Sequence, residues 1–134
     1  MTFLNCYCGS LKDYNACCGL YIDKKQVALS PEALMRSRYS AYAQANIDYI
    51  MQTMCGPAAV GFDQEQARLW ATRIKWLGLQ VLKARYHRRD SNCAMVEFKA
   101  HYREDAVNHT IHEQSEFIRK NGRWFYCSGK HNED

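Results

Sequence analysis

The chain has 134 residues, 47% of them hydrophobic and 24% charged, and carries a formal net charge of +4 at pH 7. This length and composition predict one ordinary soluble domain and exclude an intrinsically disordered protein. No apolar run approaches the roughly 18 residues of a membrane-spanning helix, and the mild basicity falls short of that of a dedicated nucleic-acid binder.

Cysteine is the unusual component, because four of the seven cysteines fall in one short segment. They are Cys6, Cys8, Cys17 and Cys18. Four thiolates are the complete ligand set of a tetrahedral structural zinc site, and zinc supplies folding free energy to a segment with few apolar side chains. Reduced thiols or a disulfide between near neighbours fit the pattern less well, and iron–sulfur clusters usually have other spacings. The sequence predicts one structural zinc per chain, with another thiophilic metal as the open alternative.

The first residues, Met-Thr-Phe-Leu-Asn-Cys, show neither the basic stretch nor the apolar core of a secretory signal. Without export information the chain is expected to stay in a reducing compartment, where clustered cysteines bind metal more often than they pair. We therefore expect a cytoplasmic protein. The other thiols, Cys55, Cys93 and Cys127, are expected to be half-buried apolar side chains.

Three helices are predicted in the first half of the chain. Ser30 is a suitable N-cap, and Pro31 fits the first helical position. The chain turns near Asn46 into a second helix, which ends at the Cys-Gly-Pro sequence of residues 55–57. A third helix opens at Asp63, where a glutamine three residues later completes a capping box.

From Trp76 onward the apolar period changes to two, which is typical of β-strands. Strands are predicted over residues 77–81, 94–103, roughly 108–119 and 124–127, and the Asn-Gly turn before the last of them is typical of a tight hairpin. Helices followed by a four-stranded antiparallel meander predict an α+β domain with the helices on one face of the sheet. The predicted organisation is a metal-binding module over residues 1–22, a connector over 23–29, the α+β domain over 30–131 and a tail over 132–134.

The last predicted hairpin places a carboxylate among aromatic side chains. It aligns Phe117 with Tyr126, and counting back by twos from Phe117 puts Glu113 on the same face. A buried carboxylate needs a partner, and Arg36 or Arg38 on the first long helix could reach it. We favour a structural ion pair, but a ligand-binding or acid–base site in a cavity is the functional alternative. The candidate cavity residues are Arg36, Arg38, Tyr102, Glu113 and Tyr126.

The densest basic segment, residues 83–89, lies near the tip of the first predicted hairpin. Arg85, Arg88 and Arg89, with Tyr86 between them, could contact a nucleic-acid backbone and stack a base. A solvated hairpin end that discourages edge aggregation is the favoured interpretation, because one basic hairpin is weak evidence. No metalloprotease, phosphate-loop or nucleophile-elbow motif is present, so the sequence gives no positive sign of an enzyme.

The cysteine segment resembles a known zinc-binding element. The run from Cys6 to Ser10, followed by Tyr14 and by the run from Cys17 to Gly19, is similar to the SEC-C motif, which also occurs at the C-terminus of the protein-export motor SecA. Where SEC-C motifs usually have a proline and a second glycine, this chain has Tyr7 and Leu11, and neither is a metal ligand.

The rest of the chain resembles the YchJ family of small bacterial proteins. The runs that carry this resemblance are residues 32–42, 48–49, 76–79, 96–98, 112–117 and 122–126. The resemblance implies a nuclear-transport-factor-2-like cone, in which a curved antiparallel sheet wraps around helices. By analogy with SecA it also implies a protein-binding role with ribosome- or export-associated partners. The alternatives are a small-molecule binder or enzyme that uses the cone cavity and an RNA binder that uses the basic hairpin.

Overall fold

The computed structural model describes residues 5–131; the predicted tail over residues 132–134 lies outside this range. The α+β prediction is confirmed, because the helices precede one curved antiparallel sheet. Single 3-10 turns occupy Tyr14–Ala16 and Gly56–Ala58. The helices are α1 (Gly19–Ile22), α2 (Pro31–Ala43), α3 (Ile47–Gln52) and α4 (Gln64–Arg73), and the strands are β1 (Lys75–His87), β2 (Asp90–Glu104), β3 (Val107–Lys120) and β4 (Arg123–His131).

The three predicted helix starts are confirmed by side-chain caps. An oxygen of Ser30, Asn46 and Asp63 in turn accepts a hydrogen bond from the backbone N–H three residues later, at 3.0, 3.1 and 3.1 Å. A cap of this kind contributes about 1 kcal/mol, because it satisfies a donor that the helix leaves open. The one-turn helix α1 was not expected in a segment that shows no helical period.

The strands pair in the order β1-β2-β3-β4. The predicted alignment of Phe117 with Tyr126 is confirmed, although the register shifts between Glu116 and Phe117. Strand β1 extends to His87, well past its predicted end at residue 81. Strand β2 continues to pair with it there, although residues 82–87 of β1 are all exposed and show no alternation. Register shifts of this kind bend a sheet and increase its twist, so they contribute to the curvature of the cone.

The concave face of the sheet packs on helix α2. Val96, Phe98 and Phe117 of the sheet and Leu34 and Tyr39 of the helix belong to one buried cluster. Three of the four clustered cysteines belong to the same cluster. The cysteine segment therefore shares a core with the cone.

The remaining thiols are all half-buried, as expected. The Cys93 thiol donates to Asp90 Oδ2 at 3.6 Å. Within residues 5–131, no helix combines the length and apolar character needed to cross a bilayer.

Candidate metal centre and interior cavity

The four clustered cysteines converge on one point. The sulfur atoms of Cys6, Cys8, Cys17 and Cys18 all lie within 4.8 Å of one another, and only Cys17 is more than marginally exposed. Zn–S bonds of about 2.3 Å in a tetrahedron separate neighbouring sulfurs by roughly 3.8 Å. The Cys8 and Cys17 sulfurs are 3.7 Å apart. The cluster therefore has the ligand number, ligand type and spacing of a closed metal site.

The loop geometry explains how thirteen residues bring these sulfurs together. The backbone N–H of Cys6 donates to the Lys12 carbonyl oxygen at 2.7 Å, which closes the loop that carries Cys8. Within that loop Gly9 has a φ of 81°, and a side chain there would crowd the Leu79 carbonyl oxygen of β1. Leu11 has a φ of 67°, a left-handed conformation that glycine adopts more easily.

Hydrogen bonding within the cluster separates the acidities of its thiols. Hydrogen bonds from Cys18 and Cys6 hold the pKa of the Cys8 thiol well below its usual value. The pKa of the Cys18 thiol is raised, first by its bonds to Cys6 and Cys8 and then by burial. Ser10 Oγ lies 3.2 Å from the Cys17 sulfur and adds a polar contact.

One stripe of helix α2 holds the cysteine segment against the cone. Arg36 Nη1 donates to the Cys8 carbonyl oxygen at 2.9 Å, and Ser40 Oγ lies 3.5 Å from the Cys6 sulfur. One turn further, Gln44 Nε2 donates to the Tyr14 hydroxyl at 2.9 Å. Residues four apart share a helix face, so positions 36, 40 and 44 form a continuous contact line.

A second site lies inside the cone, on another side of helix α2. It is a cavity of about 340 Å³ between the helices and the concave face of the sheet. Its walls are mostly aromatic and apolar, and the polar side chains among them include Arg38, Glu113 and His131. The aromatic residues of the wall are Tyr39, Tyr42, Phe62, Trp70, Trp76, Phe98 and Tyr126.

Glu113 is buried and accepts hydrogen bonds from its own sheet. Its Oε2 accepts from Ser115 Oγ at 2.5 Å and from the Tyr126 hydroxyl at 2.8 Å, while Oε1 lies 3.4 Å from His131 Nε2. Burial, followed by the neighbouring Glu113 carboxylate, raises the pKa of the Tyr126 hydroxyl. The backbone of Gly129 also lies against this pair, so closely that a Cβ atom there would overlap both groups.

The predicted ion pair between Glu113 and the first long helix is wrong for both arginines. Arg36 contacts the cysteine segment instead. Side chains two positions apart on a helix point in directions about 200° apart, so Arg36 and Arg38 face different parts of the protein. Arg38 does line the cavity, but it donates to the Ile50 carbonyl oxygen at 2.9 Å and stacks on the Tyr126 ring at 4.6 Å. Tyr102 packs on Trp70 and Trp76 behind the cavity wall instead of lining it.

The basic hairpin is exposed, as a nucleic-acid contact would require, but its aromatic residue is engaged. Arg85, Arg88 and Arg89 all face solvent. The Tyr86 ring packs on Trp124 with centroids 5.8 Å apart, so only part of it is available to stack on a base. Nucleic-acid contact by this hairpin stays a prediction.

The sequence and fold were compared with known proteins. A family described as "YchJ, middle NTF2-like domain" matches residues 30–129. A UPF0225 protein of Shewanella sp. (strain MR-4) is 43% identical over 131 residues, which cover 93% of this chain and 79% of the relative. The chain belongs to the YchJ family. The solution structure of a SEC-C motif containing protein from Rhodopseudomonas palustris is 37% identical, with a TM-score of 0.86 over 97% of this chain and all of that one.

A second solved structure supports the fold of this YchJ-family chain. It is a SEC-C motif containing protein from Psychrobacter arcticus, 24% identical, with a TM-score of 0.76 over all of this chain and 85% of that one. The nuclear-transport-factor-2-like cone implied by the sequence resemblance is confirmed.

Sequence reasoning missed the polar side chains that support the two sites. Ser40 and Gln44 follow Arg36 at four-residue intervals, and this spacing could have identified the contact line on α2. Ser115 could have been inferred as a partner of Glu113, because alternate residues of a strand lie on one face. Nothing local to Gly129 indicated its contact with Tyr126, since that contact depends on the shifted register of β4.

Proposed function

We propose that Cys6, Cys8, Cys17 and Cys18 bind one structural zinc ion, and that the segment folded by the ion is a protein-binding element of a cytoplasmic protein. The observation that carries the metal proposal is the approach of four thiol sulfurs to within 4.8 Å of one another. Zinc favours four soft ligands in a closed tetrahedron, and a site without an open position is structural, not catalytic. A reducing compartment would keep these thiols available to the ion.

Regular secondary structure contributes little to the stability of the cysteine segment. Its elements are a 3-10 turn and a one-turn helix, and isolated helices of that length do not persist in water. Zinc would join both ends of the segment, since its ligands come from the loop before the turn and from the start of α1. The stripe of α2 formed by Arg36, Ser40 and Gln44 would then receive a rigid partner.

Exposed apolar side chains beside the cluster support a protein partner. Tyr7 is 51% exposed and Leu11 is 75% exposed, and both belong to the loop that carries Cys8. Large apolar side chains held on a rigid loop make effective anchors at protein interfaces, because little entropy is lost when they bind. The SEC-C element of SecA makes a ribosome- or export-associated protein the partner class to test first.

The metal proposal predicts one zinc per chain in protein purified without an affinity tag. Replacing Cys17 and Cys18 together by serine should abolish zinc retention, whereas Cys93→Ser, a half-buried thiol outside the cluster, should leave it unchanged. Elemental analysis by mass spectrometry measures both. Substoichiometric metal in the wild type, together with free alkylation of Cys6 and Cys8, would contradict the proposal.

The partner proposal is tested with a variant that keeps the metal. Tyr7→Ser with Leu11→Ser should retain one zinc and yet lose the proteins that the wild type captures from a bacterial lysate. Val60→Ser is the matched control, because Val60 is 81% exposed but lies outside the cysteine segment. Equal capture by all three proteins would show that the exposed loop does not select a partner.

A further inference from the structure

The interior cavity contains a buried cation with unused hydrogen-bond donors. Arg38 is only 4% exposed and lines the cavity. Its two hydrogen bonds both use Nη1, to the Ile50 carbonyl oxygen at 2.9 Å and to Thr53 Oγ1 at 2.7 Å. Within residues 5–131, its Nε and Nη2 atoms have no hydrogen-bond partner, and no carboxylate forms an ion pair with the group. These donors are available to a molecule in the cavity.

The carboxylate that shares the cavity is already engaged. Glu113 accepts hydrogen bonds from Ser115 and Tyr126, and His131 approaches its other oxygen. Tyr126 links the two charges, because Arg38 stacks on its ring while its hydroxyl donates to Glu113. The polar groups of the cavity wall that remain available to a ligand are therefore mainly hydrogen-bond donors.

Electrostatics favours an anion beside Arg38. Burial lowers the pKa of its guanidinium; the nearby tyrosines and, after them, the Glu113 carboxylate oppose this effect only through space. A buried charge without a hydrogen-bonded counter-ion is costly, and proteins normally pair it or use it to hold a ligand. The side-on pair of Nε and Nη2 has the fork geometry that binds both oxygens of a carboxylate.

The remaining walls define the body of the ligand. Trp70, Phe98 and Tyr42 present aromatic surface, and Ala58 and Ala100 leave the space open. The space between these walls has a volume of about 340 Å³. It lies at the small end of the range for ligand pockets, which is roughly 300–1,000 Å³.

We propose that this cavity binds a small organic carboxylate with a flat apolar body. The carboxylate oxygens accept hydrogen bonds from Nε and Nη2 of Arg38, and the body contacts Trp70 and Phe98. Glu113 and Tyr126 close the polar side of the cavity, and the Tyr126 ring positions the Arg38 guanidinium. This binding site is independent of the metal proposal, because no cysteine of the cluster lines the cavity.

Three probes of matched shape and different charge test the proposal. Phenylacetate, phenylacetamide and 2-phenylethylamine are titrated into the wild-type protein while the tryptophan indole N–H resonances are followed by NMR. Phenylacetate should shift the signals of Trp70 and Trp76 saturably and leave that of Trp124, which does not line the cavity, unchanged. The neutral amide should bind at least about tenfold more weakly, because it offers one acceptor and no charge.

Two arginine variants of the same helix provide the matched comparison. Arg38→Gln should weaken phenylacetate binding at least about tenfold, the effect of losing a charge-assisted hydrogen bond. Arg36→Gln should leave it unchanged, because Arg36 contacts the cysteine segment. Glu113→Gln should strengthen it, since it removes a like charge from the same cavity.

The wild-type titrations keep the proposal falsifiable even if Arg38→Gln fails to fold. Amide or amine binding as tight as that of phenylacetate would overturn it, because Arg38 would then contribute no selectivity. Absence of any saturable shift of Trp70 and Trp76 would also overturn it. Unchanged affinity in a folded Arg38→Gln protein would do the same.

Discussion

Replacing Gly129 by alanine tests the geometry that holds Glu113. Gly129 lies in β4 opposite Ser115 and is exposed, and its φ is not positive. Considered alone, such a site favours alanine, since removing a strand glycine stabilises a protein by roughly 0.4–1 kcal/mol through the unfolded chain. In this fold, however, the added Cβ would overlap the Tyr126 hydroxyl and the Glu113 carboxylate.

The magnitude follows from the contacts that must break. The Tyr126 hydroxyl donates to Glu113 at 2.8 Å, and a hydrogen bond to a charged group is worth about 1.5–3 kcal/mol. Separating the two groups also leaves a buried carboxylate less well solvated. These losses exceed the entropic gain, so Gly129→Ala should destabilise the protein by about 1–2 kcal/mol, or roughly 3–10 °C in Tm for a chain of this size.

Thermal unfolding followed by circular dichroism, with urea titration as a second measure, checks the value. The same substitution in a Glu113→Ala, Tyr126→Phe background is the matched control, because both overlapping groups are then gone. There it should be neutral or slightly stabilising. A wild-type background in which Gly129→Ala raises the Tm would refute the close approach of β4 to Glu113.

The remaining predictions concern the metal, alkaline pH and the basic hairpin. If the cysteine cluster binds zinc, a strong chelator should release the cysteine segment from α2, so hydrogen exchange should rise at Cys6 and Cys17 while the β2 amides stay protected. Burial raises the pKa of Tyr39 to about 12 from an ordinary value near 10, so folding stability should fall as the pH rises from 10 to 12. Tyr39→Phe should reduce that fall by about 2–3 kcal/mol, measured by urea unfolding at each pH. If the hairpin binds RNA, Arg88→Ala with Arg89→Ala should lower the salt-sensitive retention of the protein on an RNA column. Retention equal to that of the wild type would exclude RNA binding by these two arginines.

Local signals in the sequence were sufficient to predict the helix starts and the cysteine cluster. Ser30, Asn46 and Asp63 each accept a hydrogen bond from the backbone N–H three residues later, so the local sequence is enough to predict where these helices begin. The cysteine cluster is local too, because its ligands fall between Cys6 and Cys18. The register of the last hairpin followed from a two-residue turn and the strand period.

The partners of buried polar groups could not be predicted in the same way. The partner of Glu113 depends on the side of α2 from which each arginine projects. A prediction from sequence does not know how α2 is rotated about its axis relative to the sheet. It also depends on a competing acceptor, because the carbonyl oxygen of Ile50 at the end of α3 takes the Arg38 donor instead. The length of β1 depends on its pairing with β2, and the residue pattern of β1 itself does not indicate how far that pairing extends.

Helix α2 connects the two sites, and its sequence shows why one helix can serve both. Arg36 and Ser40 contact the cysteine segment, while Arg38 and Tyr42 line the cavity. Offsets of two residues turn the helix through about 200°, so the two sets alternate along the chain and diverge in space. Substitutions on one side of α2 should therefore affect one site without the other. Comparing the single variants Arg36→Gln and Arg38→Gln distinguishes a property that depends on the cysteine cluster from one that depends on the cavity.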